Sequence, residues 1–468
     1  MIKKSLSILG LAAMYFAQAQ DVSGIKNSID VYSNTDLGGS SKYNSMAGSM
    51  GALGGDVSVI NSNPAGIGVF IASDISGSLS ITDNKNTSNL FGNSISYKTN
   101  QTTLGQVGGV AVFELNGRSP WKFVNVGVNF ATKSLENYVE SPGNQNIAYD
   151  VNSTEYVTLD GHAYDRYGDM SKMSIAVGGN YDNRFYVGAG VNVYSSSLNQ
   201  YDTALLTHRS SDAGFSNFSE KFSKQYTPYL EDASGFSANI GVIGKVNNQF
   251  RLGAAIETPT WWQMDRAYMY YDVNGDTEYS ESRNFRSPFK ATVSAAFVPN
   301  KNFALNVDYS LGLTKPKYST DVADVDQEFK NFYSDHYKNL SEVRVGAEYR
   351  IQQFRLRAGY AFANSPFDQI TMNAFNNDGS GSDKGFDNMF VGKRNTLGVG
   401  LGYDFRSFYI DAAYQNISST YQSPFLYGND GAGSQYYSPT TYIYGDSSAV
   451  SEVDNKQNIF TVSVGWKF

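Results

Sequence analysis

The chain closes on Phe460-Thr461-Val462-Ser463-Val464-Gly465-Trp466-Lys467-Phe468. Successive side chains of a strand point to opposite faces, so Phe460, Val462, Val464, Trp466 and Phe468 form one face and Thr461, Ser463, Gly465 and Lys467 the other. One face is greasy and the other wet. The pattern recurs at Phe185, Val187, Ala189, Val191 and Val193, again at Phe303, Leu305, Val307 and Tyr309, and at Phe354, Leu356, Ala358 and Tyr360. A single interior could hardly bury so many apolar faces, whereas a wall with lipid outside and water inside satisfies every copy. Lipid offers no partner to a free backbone N–H, so such a sheet must close on itself.

Working outward, strands are expected near 72 to 82, 103 to 115, 121 to 132, 172 to 181, 184 to 195, 234 to 246 and 249 to 258. Seven more fall near 288 to 298, 302 to 313, 341 to 351, 353 to 363, 395 to 405, 407 to 417 and 457 to 468. Tight turns at Asn116 to Pro120, Asp182-Asn183, Asn247-Asn248, Pro299 to Lys301, Gln352-Gln353 and Arg406-Ser407 alternate with long polar connections such as 133 to 171, 196 to 233 and 418 to 455. This rhythm predicts an all-β fold: a transmembrane antiparallel β-barrel of about 14 strands, with short periplasmic turns and long outer loops. Gly105, Gly108 and Gly109 interrupt the second strand, where a bulge is expected. A cation at Val464 should then cost a few kcal/mol near the bilayer midplane, and one at Ser463 less.

The N-terminus supports an exported chain. Lys3 and Lys4 precede an apolar run from Leu6 to Phe16 and an Ala17-Gln18-Ala19 cleavage signature, so residues 1–19 read as a signal peptide. There are no cysteines in 468 residues, which removes disulfides, thiol catalysis and thiolate metal sites. Beyond the leader nothing approaches the roughly 18 apolar residues of a membrane helix. The 34 Tyr, 29 Phe and 45 Gly favour aromatic-rich strands. The net charge of −8 is dispersed, and without a basic stripe nucleic acid is not an expected partner. His162, His208 and His336 fall in expected outer loops, and no hydrolase elbow, zinc motif or phosphate loop occurs, so neither an enzyme nor a cofactor is expected. Asp272 to Asp276 begins like a calcium loop, but Thr277 replaces its glycine and Arg283 its closing glutamate, so a plain turn and no metal are expected.

Residues 45–69 form a Gly-rich run that holds Met50-Gly51-Ala52, Asp56 and Asn63-Pro64-Ala65-Gly66-Ile67. It resembles the N-terminal hatch of the outer-membrane transporters for hydrophobic compounds, the family of the fatty-acid transporter FadL and the toluene transporter TodX. The resemblance implies a hatch over 20–70 inside a barrel of 71–468, located in the outer membrane of a Gram-negative bacterium. It further implies passive uptake of long-chain fatty acids or aromatic hydrocarbons. Asn63, Pro64, Ala65 and Gly66 would set the hatch, whose shift would release ligand through a gap in the wall. Outer-membrane lipid, a hydrophobic ligand and the barrel-assembly machinery, which would read the strand ending in Phe468, are the implied partners. A polar-solute porin and an adhesin or structural barrel are the rival readings; a plug of some fifty residues argues against an open channel.

Two residue sets could meet a ligand. If Gln352-Gln353 is a two-residue turn, Ile351 faces Phe354, Tyr349 faces Leu356 toward lipid, and Glu348 faces Arg357 inside, beside Arg344, Arg350 and Arg355. These charges form either a stiffening ladder or, through Arg344 and Arg357, a receptor for a carboxylate. Phe215, Phe218, Phe222 and Tyr226 have helical spacing in one loop, as do Phe329, Phe332, Tyr333, His336 and Tyr337 in another. They predict loop helices docked over the mouth, or a groove that first captures a greasy ligand.

Overall fold

A computed structural model describes residues 25–34, 36–150, 153–211, 214–219, 229–270, 277–320, 323–425 and 447–468. The leader, Phe222, Tyr226 and the calcium-like turn fall outside these residues. Fourteen strands form the wall: β1 Asp74–Leu90, β2 Asn93–Glu114, β3 Trp121–Ser134, β4 Glu155–Tyr181, β5 Phe185–Ser210, β6 Tyr229–Lys245 and β7 Phe250–Glu257, then β8 Lys290–Asn300, β9 Phe303–Gly312, β10 Ser341–Ile351, β11 Phe354–Ala363, β12 Lys393–Asp404, β13 Phe408–Phe425 and β14 Ala449–Lys467. Each pairs antiparallel with its neighbours in sequence, and β1 pairs with β14 from Asp74↔Lys467 to Asn89↔Glu452, closing the barrel. Ser73 and Phe468 exchange both backbone hydrogen bonds at the seam.

The facing follows the alternation. Phe460 and Trp466 on β14 are exposed while Thr461 and Ser463 are buried, and Ile75, Leu79 and Ile81 are exposed on β1 beside buried Ser76, Ser78 and Ser80. Such an outer surface is stable only against hydrocarbon, so this is a multi-pass outer-membrane barrel. No helix among the described residues is long and apolar enough to cross a membrane. Across the β1–β2 ladder the register jumps from Ser78↔Gln106 to Leu79↔Leu104, leaving Gly105 as the extra residue of the expected bulge. The β10–β11 hairpin has the expected register, with Ile351↔Phe354, Tyr349↔Leu356 and Glu348↔Arg357.

In their described residues the expected long loops are largely strand. β1 and β2 run on past the membrane to a tight turn at Phe91-Gly92, both at positive φ. Outside the bilayer neither face needs to be greasy, and the inward positions become Asn84, Asn86 and Ser88, all buried. The hairpin strand Asn137–Asp150 pairs with the outer half of β4, and Trp261–Tyr270 with the outer part of β6. His162 and His208 therefore lie on β4 and β5, not in loops.

The two aromatic stripes part company. Phe329, Phe332 and Tyr333 are buried on the helix Ala323–His336, in one apolar cluster with Tyr337, Phe367 and Phe390. Phe218 is not helical: Phe218–Ser219 is a short strand on the edge of β5, opposite His208 and Thr207. The ladder there offers backbone partners that outweigh a helical side-chain spacing.

Candidate functional site

Residues 25–34 and 36–69 lie inside the barrel as short helical turns, at Ser28–Tyr32, Ser41–Ser45, Val57–Asn61 and Pro64–Val69, joined by irregular chain. So much irregular backbone, sealed from water, needs partners for its N–H and C=O groups. The wall supplies them. Asp308 Oδ2 on β9 accepts from the N–H groups of Met50 at 3.0 Å and Gly51 at 3.2 Å, and Asn306 Oδ1 accepts from Ala52. The side-chain amide of Asn125 on β3 donates to Ile67 and Phe70, and that of Asn239 on β6 to Ile60. On β14 the Ser463 hydroxyl accepts from the Ser41 N–H at 2.7 Å.

The Asn63-Pro64 turn is held from both sides. Asn63 caps the Pro64–Val69 turn, its Oδ1 accepting from the Ala65 N–H, while its amide donates to Gly51 at 2.7 Å and to Val242 of β6 at 3.2 Å. Pro64 supplies the first helical position, where its missing N–H costs nothing. The wall approaches so closely that a Cβ at Gly241 would strike the Asn63 side chain and one at Gly188 the Pro64 carbonyl. Ala65 and Gly66 are buried, and the Gly66 carbonyl accepts from the Gly55 N–H. Asp56 caps the preceding turn through the Ser58 N–H and accepts from the Ser40 hydroxyl.

The two arginines are both engaged in ion pairs. Arg357 is buried between Glu348 and Asp411, each 2.7 Å away, and Arg350 also holds Glu348 at 2.6 Å. The sequence could not show Asp411, which sits two strands away on β13. Arg344 reaches Glu342 at 2.6 Å and Asp36 of the inner segment at 3.0 Å. Burial pushes the Asp36 carboxyl up, but the Arg344 guanidinium and the Gly38 N–H outweigh it and hold it down at about 2.

Toward the outer side of this plug lie two cavities, of about 140 Å³ and about 210 Å³. Arg344 lines both; Arg357, Phe215 and Phe218 line neither. Phe218 stacks on His208, with ring centroids 4.4 Å apart, and leans on Phe215. Lys133, Glu342 and Arg394 also border both cavities, and no sequence signal singled them out. The inner cavity reaches the wall where β2 and β3 part. Their ladder ends at Gln106↔Ala131, and Thr99, Gln101, Thr103 and Thr132 beyond it face the space. His162 and His336 pack against aromatic rings, of Tyr164 and Phe425 and of Phe332.

No protein family and no curated protein matches the sequence. Solved structures do. A Pseudomonas aeruginosa FadL homologue superposes with a TM-score of 0.56 at 14% identity, over 92% of this chain and 98% of that one. The Pseudomonas putida toluene transporter TodX gives 0.55 at 13%, over 92% and 99%, and the Ralstonia pickettii toluene transporter TbuX 0.54 at 14%, over 93% and 99%. At such identities the likeness concerns architecture: this chain has the fold of the FadL and TodX barrels along almost its whole length.

Proposed function

We propose that the chain is a passive outer-membrane transporter for hydrophobic small molecules, in which residues 20–70 act as a hatch over a barrel of 71–468. The observation that carries this reading is a lumen filled by the chain's own N-terminal segment, with two cavities on its outer side, the inner of which reaches the parted β2–β3 seam. A polar-solute porin would need that space open. The toluene transporters among the structural neighbours lend support. Ligand would reach the cavities from the aromatic outer surface, and the seam is the wall gap through which it could leave. Phe468, paired with Ser73 where the barrel closes, is the end that an assembly machinery would read.

Liposomes carrying the purified chain test this reading. Toluene or decanoate should enter faster than into empty vesicles, while potassium ions and arabinose should not. Asn63→Ala with Pro64→Ala should loosen the hatch and admit ions. Arabinose flux through the unaltered chain, without hydrophobic uptake, would establish the porin instead.

A further inference from the structure

The two cavities beyond the hatch differ in chemistry, and three cations, Lys133, Arg344 and Arg394, border both. The inner cavity carries many neutral hydrogen-bonding groups, among them Thr82, Thr103, Thr396, Gln101, Gln415 and Gln457, beside the paired charges of Asp36, Glu342, Arg344 and Arg394 and the apolar Leu37, Ile417 and Ile459. The outer one adds an apolar wall of Leu135, Leu340, Pro366, Phe390 and Val391. Lys133, at the end of β3, borders both. The other cations there are engaged: Arg344 by Asp36 and Glu342, Arg394 by Glu342, Arg166 by Asp30, Lys290 by Glu257, and Lys26, on the outer cavity alone, by the ring and hydroxyl of Tyr421. Among the described residues, no carboxylate lies within ion-pair distance of Lys133 and no group accepts a hydrogen bond from it. The charges that act on it are Asp30 and Asp36, both already on arginines, and the cations Arg166 and Arg394. Glu136 shares the lining, and the charges that act on it are the carboxylates Asp165 and Asp169.

Resting on the uptake reading above, we infer that the cargo is an amphiphile whose head carries a negative charge together with several hydroxyl or amide groups. Its charge would meet Lys133, its neutral polar groups the inner cavity, and its apolar tail the outer wall. A bare hydrocarbon makes no hydrogen bond to the hydroxyls and amides of the inner chamber, and would strip water from them without replacing its hydrogen bonds. A simple carboxylate satisfies Lys133 but leaves the inner chamber unused. A sugar acid on an alkyl chain fits all three surfaces.

Equilibrium binding to the purified full chain in a short-chain polyoxyethylene detergent tests this with four probes: decyl glucuronide, decyl glucoside, decanoate and toluene. The glucuronide should bind at least about tenfold more tightly than the other three, the worth of one charge-assisted hydrogen bond over the glucoside. Lys133→Met should remove that advantage and leave glucoside affinity within about twofold, with the heat-modifiable gel shift confirming a folded barrel. Decanoate or toluene binding as tightly as the glucuronide, or a glucuronide indifferent to Lys133→Met, overturns the inference. If toluene and decanoate enter liposomes while the glucuronide neither binds nor enters, only this inference falls. If none of the four binds or enters, the uptake reading falls and takes the inference with it.

Discussion

Asp308 provides the most direct measure of how firmly the plug is held. Its Oδ2 accepts from two successive backbone donors, Met50 and Gly51, and its Oδ1 from the Asn306 amide, which in turn holds Ser49. Asp308→Ala leaves both backbone donors unpaired in a buried place. Each such donor costs about 1–3 kcal/mol, so the turn should open more easily by about 2–6 kcal/mol, and water entering the vacated space favours the lower end. Because the chain has no cysteine, a single Ala52→Cys provides a clean reporter at a site that is fully buried. In proteoliposomes, maleimide labelling of that cysteine should quicken at least about 30-fold with Asp308→Ala, the equivalent of about 2 kcal/mol. Asp308→Asn keeps one acceptor and should fall between. Labelling within about twofold of the parent, in a barrel that keeps its heat-modifiable shift, would refute the assignment of this carboxylate as a principal tie of the plug.

Three further outcomes are expected. Val464 is half-buried on the lipid face and Ser463 is fully buried under Ser41, so both Val464→Arg and Ser463→Arg should be damaging, the second against the milder effect that alternation alone suggests; urea unfolding in vesicles measures each. Because Arg357 serves Glu348 and Asp411 together, exchanging Glu348 and Arg357 should not restore stability. It would put a glutamate against Asp411 and an arginine against Arg350, leaving the double variant about 3 kcal/mol or more below the parent; recovery to parental stability in the same assay would show an isolated pair. Asp36 is held at about 2 in the folded chain against an ordinary 3.8, so what its pairing with Arg344 contributes is complete above pH 3.8 and is lost as the pH falls toward 2. Tryptophan fluorescence, with Trp262 packed on Tyr32 of the plug, should show a change in that window that Asp36→Asn abolishes.

The parts legible in the sequence were those where one face must be greasy. The wall strands, the Gly105 bulge and the pairing of Glu348 with Arg357 all follow from period-two alternation and a two-residue turn, because a slip of one residue would turn every apolar side chain to the wrong side. Above the bilayer that constraint ends. Asn84, Asn86 and Ser88 still alternate inward with Lys85, Thr87 and Asn89 outward, but both sets are polar, and a reading based on hydrophobicity sees a loop. The same blindness hid Lys133: it stands where the apolar alternation of β3 ends, and its importance comes from cavities built by strands far apart in sequence. Phe215 and Phe218 misled in the opposite way, since an i, i+3 spacing in a loop says nothing about a neighbouring strand edge with free backbone groups.

The distribution of ties also bears on how a hatch here could move. Bonds to β3, β6, β9 and β14 ring the segment from Ser41 to Phe70, and close approach reinforces them, since a Cβ at Gly398 of β12 would lie 2.6 Å from the Asn44 carbonyl oxygen. Releasing that body as a whole would break all of these at once. At its other end the plug is held by Tyr32, whose hydroxyl donates to Glu231 at 2.5 Å and whose carbonyl accepts from the Trp262 ring at 3.0 Å. Between the two sets of ties, Asn34, Asp36 and Gly38 border the inner cavity, and among the described residues there the ion pair of Asp36 with Arg344 ties the stretch to the wall. Gly38 sits at a φ of 82°, where other residues are strained. Breaking that ion pair would therefore release this stretch while the described ties on either side of it hold. A movement of that kind would open a path along the plug without ejecting it.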